Sequence, residues 1–301
     1  MRISHSMIAQ NMMRAIQTNL EGLTRSQEMM STGRRVNKPS DDPPATNNII
    51  SVHTALDINH QYTRNINDGL AWQNQTDAAL GDAMDLLHRV RDLAVQGASG
   101  TLTPEDMQAI ARQVDGVIDG MVNVANSNMG GKYIFAGTQN AAPPFAVDKV
   151  AETVTYNGNT DVVLREVASD FTVQVDTGGV VFGATATGSV TSGVFFTLFQ
   201  LRDALDAGDN ATVSSMIGDV DQRIDEMLVH RVRTGSRTNQ LESLRSQLED
   251  QEVRFTGVLS GLQDADIARA SIQFGQQKLA YEATLSAGAR LLQTSLLDFL
   301  K

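Results

Sequence analysis

Residues 267–301, IARASIQFGQQKLAYEATLSAGARLLQTSLLDFLK, contain no proline, and their larger apolar side chains recur in steps of seven, four and three. Ile267, Phe274, Tyr281, Leu285, Leu292, Leu296 and Phe299, with the small Ala289, fall along one side of an α-helix at that spacing. The row continues to Phe299, in a region where most domains fray, so this helix is expected to dock on something. The other end of the chain supplies a match. Ile8, Met12, Ile16, Leu20, Leu23 and Met30 follow the same spacing, and two such helices can pair as a coiled coil although they are far apart in sequence. What lies between them is then a body carried on the paired ends.

That body reads as helix, β insert, helix. Gly33 suits the end of the first helix. Pro39, Pro43 and Pro44 forbid a helix through the next residues, while Asp42 and Pro43 are placed to cap and open another. From Ala45 to about Gln96, Ile49, Val52, Leu56, Ile66, Leu70, Leu80, Met84 and Leu87 lie on a heptad grid, a rod of roughly 80 Å at about 1.5 Å per residue. Asn59, Thr63, Gln73 and Asp77 fall on the same seam, where polar groups cost stability but can fix register. After Gly97–Gly100, the sequence Thr103-Pro104-Glu105-Asp106 opens a third helix, expected to end by Gly130-Gly131. Residues 132–193 are instead rich in Val, Thr, Phe and Gly. Asn157-Gly158 is a hairpin signal and Phe171–Val175 alternates as a strand does. Helix returns at Phe195–Leu205. A second heptad grid then runs from Ala211 to about Leu262, interrupted by Arg231, Thr234, Thr238 and Arg245, with Gly235 a candidate kink. The fold class is therefore mainly α with a β-rich inserted domain. Residues 1–40 with 265–301 form a terminal coiled coil, 41–131 with 194–264 a long antiparallel helical rod, and 132–193 a β domain at its tip.

Composition narrows the function. No aromatic residue precedes Tyr62, so the N-terminal arm lacks the side chains on which an independent core usually rests. Both ends are rich in Ser, Asn, Gln, Met and Ala and are expected to fold weakly until they meet a partner. Their apolar rows fit either ordinary core or packing between molecules; the missing aromatics favour the second. A net charge of −11 and a pI near 4.8 argue against nucleic acid and anionic membrane. No apolar run reaches membrane-spanning length, and the start lacks the apolar block of a secretory signal. With no cysteine there is neither a disulfide framework nor thiolate chemistry.

Candidate chemistry is sparse. Gly131-Lys132-Tyr133 lacks the hydroxyl and upstream glycine of a phosphate loop. His53, Asp57 and His60 share a helix face at a spacing that could hold a metal. No further ligand is evident in sequence, and a polar outer face explains them more simply. Asp41-Asp42 reads as capping rather than acid catalysis. No catalytic residue, metal or cofactor is assigned.

Several blocks in order resemble the flagellin superfamily. They are Ser31-Thr32-Gly33-Arg34-Arg35-Val36-Asn37 before Asp41-Asp42, Asn67-Asp68-Gly69-Leu70, Arg89–Gln96, and Ser295-Leu296-Leu297-Asp298-Phe299-Leu300. Met1-Arg2-Ile3-Ser4, Lys38–Pro43 and Gly131–Thr138 are similar to the subgroup found at the hook–filament junction. Flagellin itself usually has alanines and glycine where Pro43-Pro44 stands, and filament flagellin is the alternative reading. The resemblance implies a non-enzymatic structural adaptor of the bacterial flagellum, outside the cell, exported through the flagellar type III apparatus without a cleaved signal. Its implied partners are hook-associated protein 1, flagellin, a flagellar export chaperone and copies of itself in a ring, with no nucleic acid and no membrane. The terminal rows then become the assembly interface: Ile8, Met12, Ile16, Leu20, Leu23, Phe274, Tyr281, Leu285, Leu292, Leu296 and Phe299. Leu285, Leu292, Leu296 and Leu297 are the candidate chaperone contacts.

Overall fold

The computed structural model describes residues 5–149 and 151–299, with the side chains of Met7, 9–149 and 151–290. Its contacts divide into a terminal unit, Met1–Asn59 with Asp250–Lys301, and a central unit, His60–Glu249. The fold is mainly α with a β-rich insert, as the sequence pattern implies.

In the terminal unit, helix α1 (His5–Thr32) stops at Gly33, whose φ of 70° closes the last turn with a 2.9 Å bond from its N–H to Met29 O. Asp41 then organises the proline-rich linker, its Oδ2 accepting the N–H groups of Asn37 (3.1 Å) and Lys38 (3.0 Å). Asp42 caps α2 (Pro43–Gly97) by accepting the Ala45 N–H at 3.1 Å. A second linker joins α5 (Asn210–Gln263) to α6 (Ile267–Phe299). The two linkers pair: Arg35 N–H donates to Gln263 O at 2.7 Å and Ala265 N–H to Gly33 O at 2.8 Å. Val36, Ala45 and Ile49 are buried beneath that join, against Leu259 and Leu262.

In the central unit, α2 and α5 run antiparallel. The register is marked by ion pairs from Asp77 to Arg231 (2.9 Å) and from Arg91 to Asp221 (2.6 Å). Gly69 lies so close to Leu241 that a Cβ there would stand 3.3 Å from its Cδ1. α5 continues unbroken through Gly235; of the residues that interrupt its heptad grid, Arg231 pairs with Asp77 of α2, Thr238 Oγ1 donates to Thr234 O at 3.1 Å and Arg245 lies 3.7 Å from Glu249. Helix α3 (Pro104–Ala125) begins on a reciprocal cap, in which Thr103 Oγ1 accepts the Asp106 N–H and Asp106 Oδ2 accepts the Thr103 N–H. It packs against α4 (Val194–Asp206). Phe145 gathers Tyr156, Phe182 and Phe195 with ring centroids 5.0, 5.5 and 5.8 Å away. Burial of these rings with Ile110, Val114, Ile118 and Met121 of α3 forms the main core.

The β insert starts earlier than its composition suggests. Strands β1 (Asn128–Met129) and β2 (Lys132–Tyr133) form a hairpin turned by Gly130 and Gly131, both at positive φ. β3 (Phe145–Asp148), β4 (Thr153–Tyr156) and β7 (Gly188–Val190) form an antiparallel sheet in the order β3-β4-β7. Asn157-Gly158 does not turn a hairpin. It lies in the loop after β4, where Asn157 N–H is bonded to Pro144 O and a Cβ on Gly158 would meet Tyr156 Oη at 2.5 Å. The demand there is for close approach, not for a two-residue turn. β5 (Leu164–Ala168) and β6 (Phe171–Gln174) form a separate hairpin. Its Val167 and Val173 pack with Ile66 and Leu70 of α2 and Leu241 and Leu248 of α5 in a second, smaller core.

Candidate assembly interface

The two ends of the chain pair, through a seam that includes some but not all of the residues in the terminal rows. α1 and α6 lie side by side in the terminal unit. Asn19 Nδ2 donates a 2.6 Å hydrogen bond to Thr284 Oγ1. Met12 and Ile16 close over Gly288, where a Cβ would stand 3.2 Å from Met12 Cε, and Gly22 faces Gln277. On α6 the inward positions are Ala270, Phe274, Gln277, Tyr281, Thr284 and Gly288. They recur in alternating steps of four and three, which holds one seam straight along the helix. Met12, Ile16, Asn19, Leu23 and Ser26 do the same on α1.

Of the residues expected at the interface, Met12, Ile16, Leu23, Phe274 and Tyr281 are half-buried in this seam. Leu20 and Leu285 point away, with 44% and 42% of their surface exposed. Repeated steps of four, as in Ile8, Met12, Ile16, Leu20, rotate by about 40° each around a 3.6-residue helix. The row therefore drifts off the contact face by its fourth member. The side chains of Ile8, Leu292, Leu296, Leu297 and Phe299 lie outside the described residues. Sequence reasoning passed over the small and polar seam members, Asn19, Ser26, Ala270 and Gly288. Their heptad spacing from Met12 and Phe274 was the available signal.

Each helix also carries large apolar side chains outside the seam. Met13 and Leu20 on α1, and Ile272 and Leu279 on α6, stand seven residues apart on each helix, with exposures of 70%, 44%, 63% and 70%. Exposed large apolar groups at coiled-coil spacing are what a further helix would cover. The base of the pair is charged. A cleft of ≈ 840 Å³ between α1 and α6 is lined by Arg25, Arg35 and Arg269 together with Asp264 and Asp266. Arg35 is held by Asp42 at 3.0 Å and by Leu262 O at 2.8 Å. Asp41 lies below the usual carboxylate range, chiefly because the Lys38 N–H donates to it.

His53, Asp57 and His60 are exposed along α2, and among the described residues no three His, Cys, Asp or Glu side chains converge on a common point. None of the described helices is long and apolar enough to cross a membrane.

Residues 3–140 match the bacterial flagellin N-terminal helical region, and residues 217–300 match the bacterial flagellin C-terminal helical region. Flagellar hook-associated protein 3 of Escherichia coli K12 is 27% identical, over the whole of both chains. Among solved structures, a putative flagellar hook-associated protein from Vibrio parahaemolyticus superposes with a TM-score of 0.67 at 19% identity, covering 74% of this chain and all of that one. The flagellar junction protein FlgL of Legionella pneumophila gives 0.57 at 14% identity, covering 73% of this chain and all of that one. At such identities the structural likeness speaks to the fold.

Proposed function

The chain belongs to the bacterial flagellin family, and from that footing we infer that it is the structural adaptor of the flagellar hook–filament junction. End-to-end likeness to hook-associated protein 3 supports the assignment to the junction. The observation that carries an assembly role is the exposure of Met13 and Leu20 on α1 and of Ile272 and Leu279 on α6, outside the seam that already joins these helices.

In this reading the work is mechanical and non-enzymatic. Copies of the chain pack through their terminal helices into a ring, with head-to-tail contacts continuing into unlike neighbours. Those neighbours are hook-associated protein 1 on one side and flagellin on the other. Before assembly the chain leaves the cell through the flagellar export apparatus, with a chaperone on the segment containing Leu285, Leu292, Leu296 and Leu297. The terminal helices, 1–40 with 265–301, supply the packing surface. The helical part, 41–131 with 194–264, carries the β-rich part, 132–193, outward.

The test is genetic and biochemical together. Deleting the gene should leave hooks without filaments and flagellin monomers in the medium, and restoring it should return the filaments. Purified chain should bind both hook-associated protein 1 and flagellin without forming long filaments by itself. Filaments persisting in the deletion strain would overturn the reading, and long homopolymers would turn it to that of a filament flagellin.

A further inference from the structure

The apolar packing of the central unit is interrupted at one level. Between Met227 and Leu241 the only buried α5 side chain is Thr234, and between Trp72 and Ala79 the buried positions on α2 are Gln73 and Thr76. The Asp77–Arg231 and Gly69–Leu241 contacts place these two stretches opposite each other. On one side of the level lies the main aromatic core. On the other lie the six buried residues of the smaller core: Ile66, Leu70, Val167, Val173, Leu241 and Leu248. The polar layer between them is incompletely bonded within the protein. Gln73 Oε1, Thr234 Oγ1 and Trp72 Nε1 are buried and have no protein hydrogen-bond partner.

A short segment straps the layer. Gln73 Nε2, from α2, donates to Val175 O at 3.1 Å. Arg237, from α5, donates to Asp176 O at 2.7 Å and to Gln174 Oε1 at 2.9 Å. Both helices thus hold the same three residues at the end of β6, and the β5–β6 hairpin is tied to the smaller core.

We propose that this layer is a built-in parting plane: the β5–β6 hairpin, with the α2 and α5 turns beneath it, opens as one cooperative block without disturbing the main core. Two physical facts drive it. Opening the smaller core exposes little apolar surface, because few side chains are buried in it. It also lets bulk water reach polar groups that the closed state leaves without a protein partner, whose burial is otherwise costly. Local opening of this kind proceeds in contiguous blocks drawn from the least stable part of a fold.

Hydrogen exchange of the full chain, followed by mass spectrometry at low urea concentrations, reads the block directly. Segments 62–70, 164–173 and 238–248 should exchange at one common rate, at least about tenfold faster than 79–94, 107–125 and 195–205. Thr234→Val, which keeps the shape and removes the unbonded hydroxyl, should slow the first set by about tenfold and leave the second unchanged. A single rate for all six segments, or three different rates within the first set, would overturn the proposal. So would a Thr234→Val chain that folds and exchanges as the parent does. Should that variant not fold, the two rates in the parent chain decide the question alone.

Discussion

Asn19 on α1 and Thr284 on α6 are joined by a 2.6 Å side-chain hydrogen bond across 265 positions of sequence. It is a polar rung within a seam whose other members are apolar or small, apart from Gln277, which lies against Gly22. One polar rung matters more for alignment than for stability, because any shifted pairing sets it against an apolar partner.

Replacing Asn19 with leucine should therefore loosen register. A hydrogen bond of this kind contributes about 1 kcal/mol, enough for about a fivefold change in the balance between registers. The chain has no cysteine, so introduced pairs report cleanly. Met12→Cys with Gly288→Cys should cross-link in the parent. In Asn19→Leu a pair one heptad away, Met12→Cys with Tyr281→Cys, should gain a measurable share. If only the first pair links in both backgrounds, the rung does not set the register.

The exposed apolar side chains outside the seam separate assembly from folding. Ile272→Ser with Leu279→Ser alters side chains that are 63% and 70% exposed. The melting temperature of the monomer should move by a few degrees at most, as surface changes away from special features usually stay within about 0.5 kcal/mol each. Swimming should fail, with flagellin lost to the medium. Phe274→Ser, on the inner seam, should lower monomer stability by about 2 kcal/mol. A double serine variant that still swims would remove Ile272 and Leu279 from the interface.

Glycines make a sharp contrast. Gly183, at φ 91°, sits against Ser192, so a Cβ would stand 2.2 Å from the Ser192 carbonyl oxygen. Gly183→Ala should cost about 3 kcal/mol, from the left-handed backbone and the backbone clash together. Gly116, inside α3, has nothing within 4 Å of an added Cβ. Gly116→Ala should gain about 0.5–1 kcal/mol. Urea midpoints at unchanged slope would show shifts of opposite sign; equal shifts would refute the steric account.

The pH dependence of folding should carry the mark of Asp176. Its carboxyl is 2% exposed, and burial raises its pKa above the usual value, against the opposing Val163 N–H, the Gln174 amide and Arg237. A carboxyl whose folded pKa is raised binds its proton more tightly when folded. It therefore favours folding at low pH and loses that contribution as pH climbs from the unfolded to the folded pKa. Asp176→Asn should be more stable than the parent above that window, with the difference disappearing in acid. Chemical denaturation across the pH range would reveal it, and a constant difference at every pH would assign the effect to packing instead.

The punctuation of this fold is legible in its sequence because it is local. Gly33, Asp42-Pro43 and Thr103-Pro104 each act through bonds to residues within a turn, and each helix boundary follows from them. The seam between the ends was only half legible. Weighting large apolar residues finds Phe274 and Tyr281 but also selects Leu20 and Leu285, while closeness at Gly22 and Gly288 comes from what a side chain lacks. Asp77, read as a seam residue, is half-exposed and bound to Arg231, a partner 154 positions away that no local pattern announces. Asn157-Gly158 misleads for the same reason, since its conformation is set by Pro144 and Ala136, well back in the sequence.

The joined linkers also impose an order of events. Gly33 and Arg35 find their partners at Ala265 and Gln263, and α1 finds its partner in α6, so almost the entire chain must be present before the terminal unit can close. The central unit is built from the single stretch 60–249. Contacts that span the greatest loops form late, since their closure entropy is met only when other structure has shortened the path. Maturation of the two units is thus staggered by topology: the α1–α6 seam is completed last, and a chain still being synthesised presents a solitary α1.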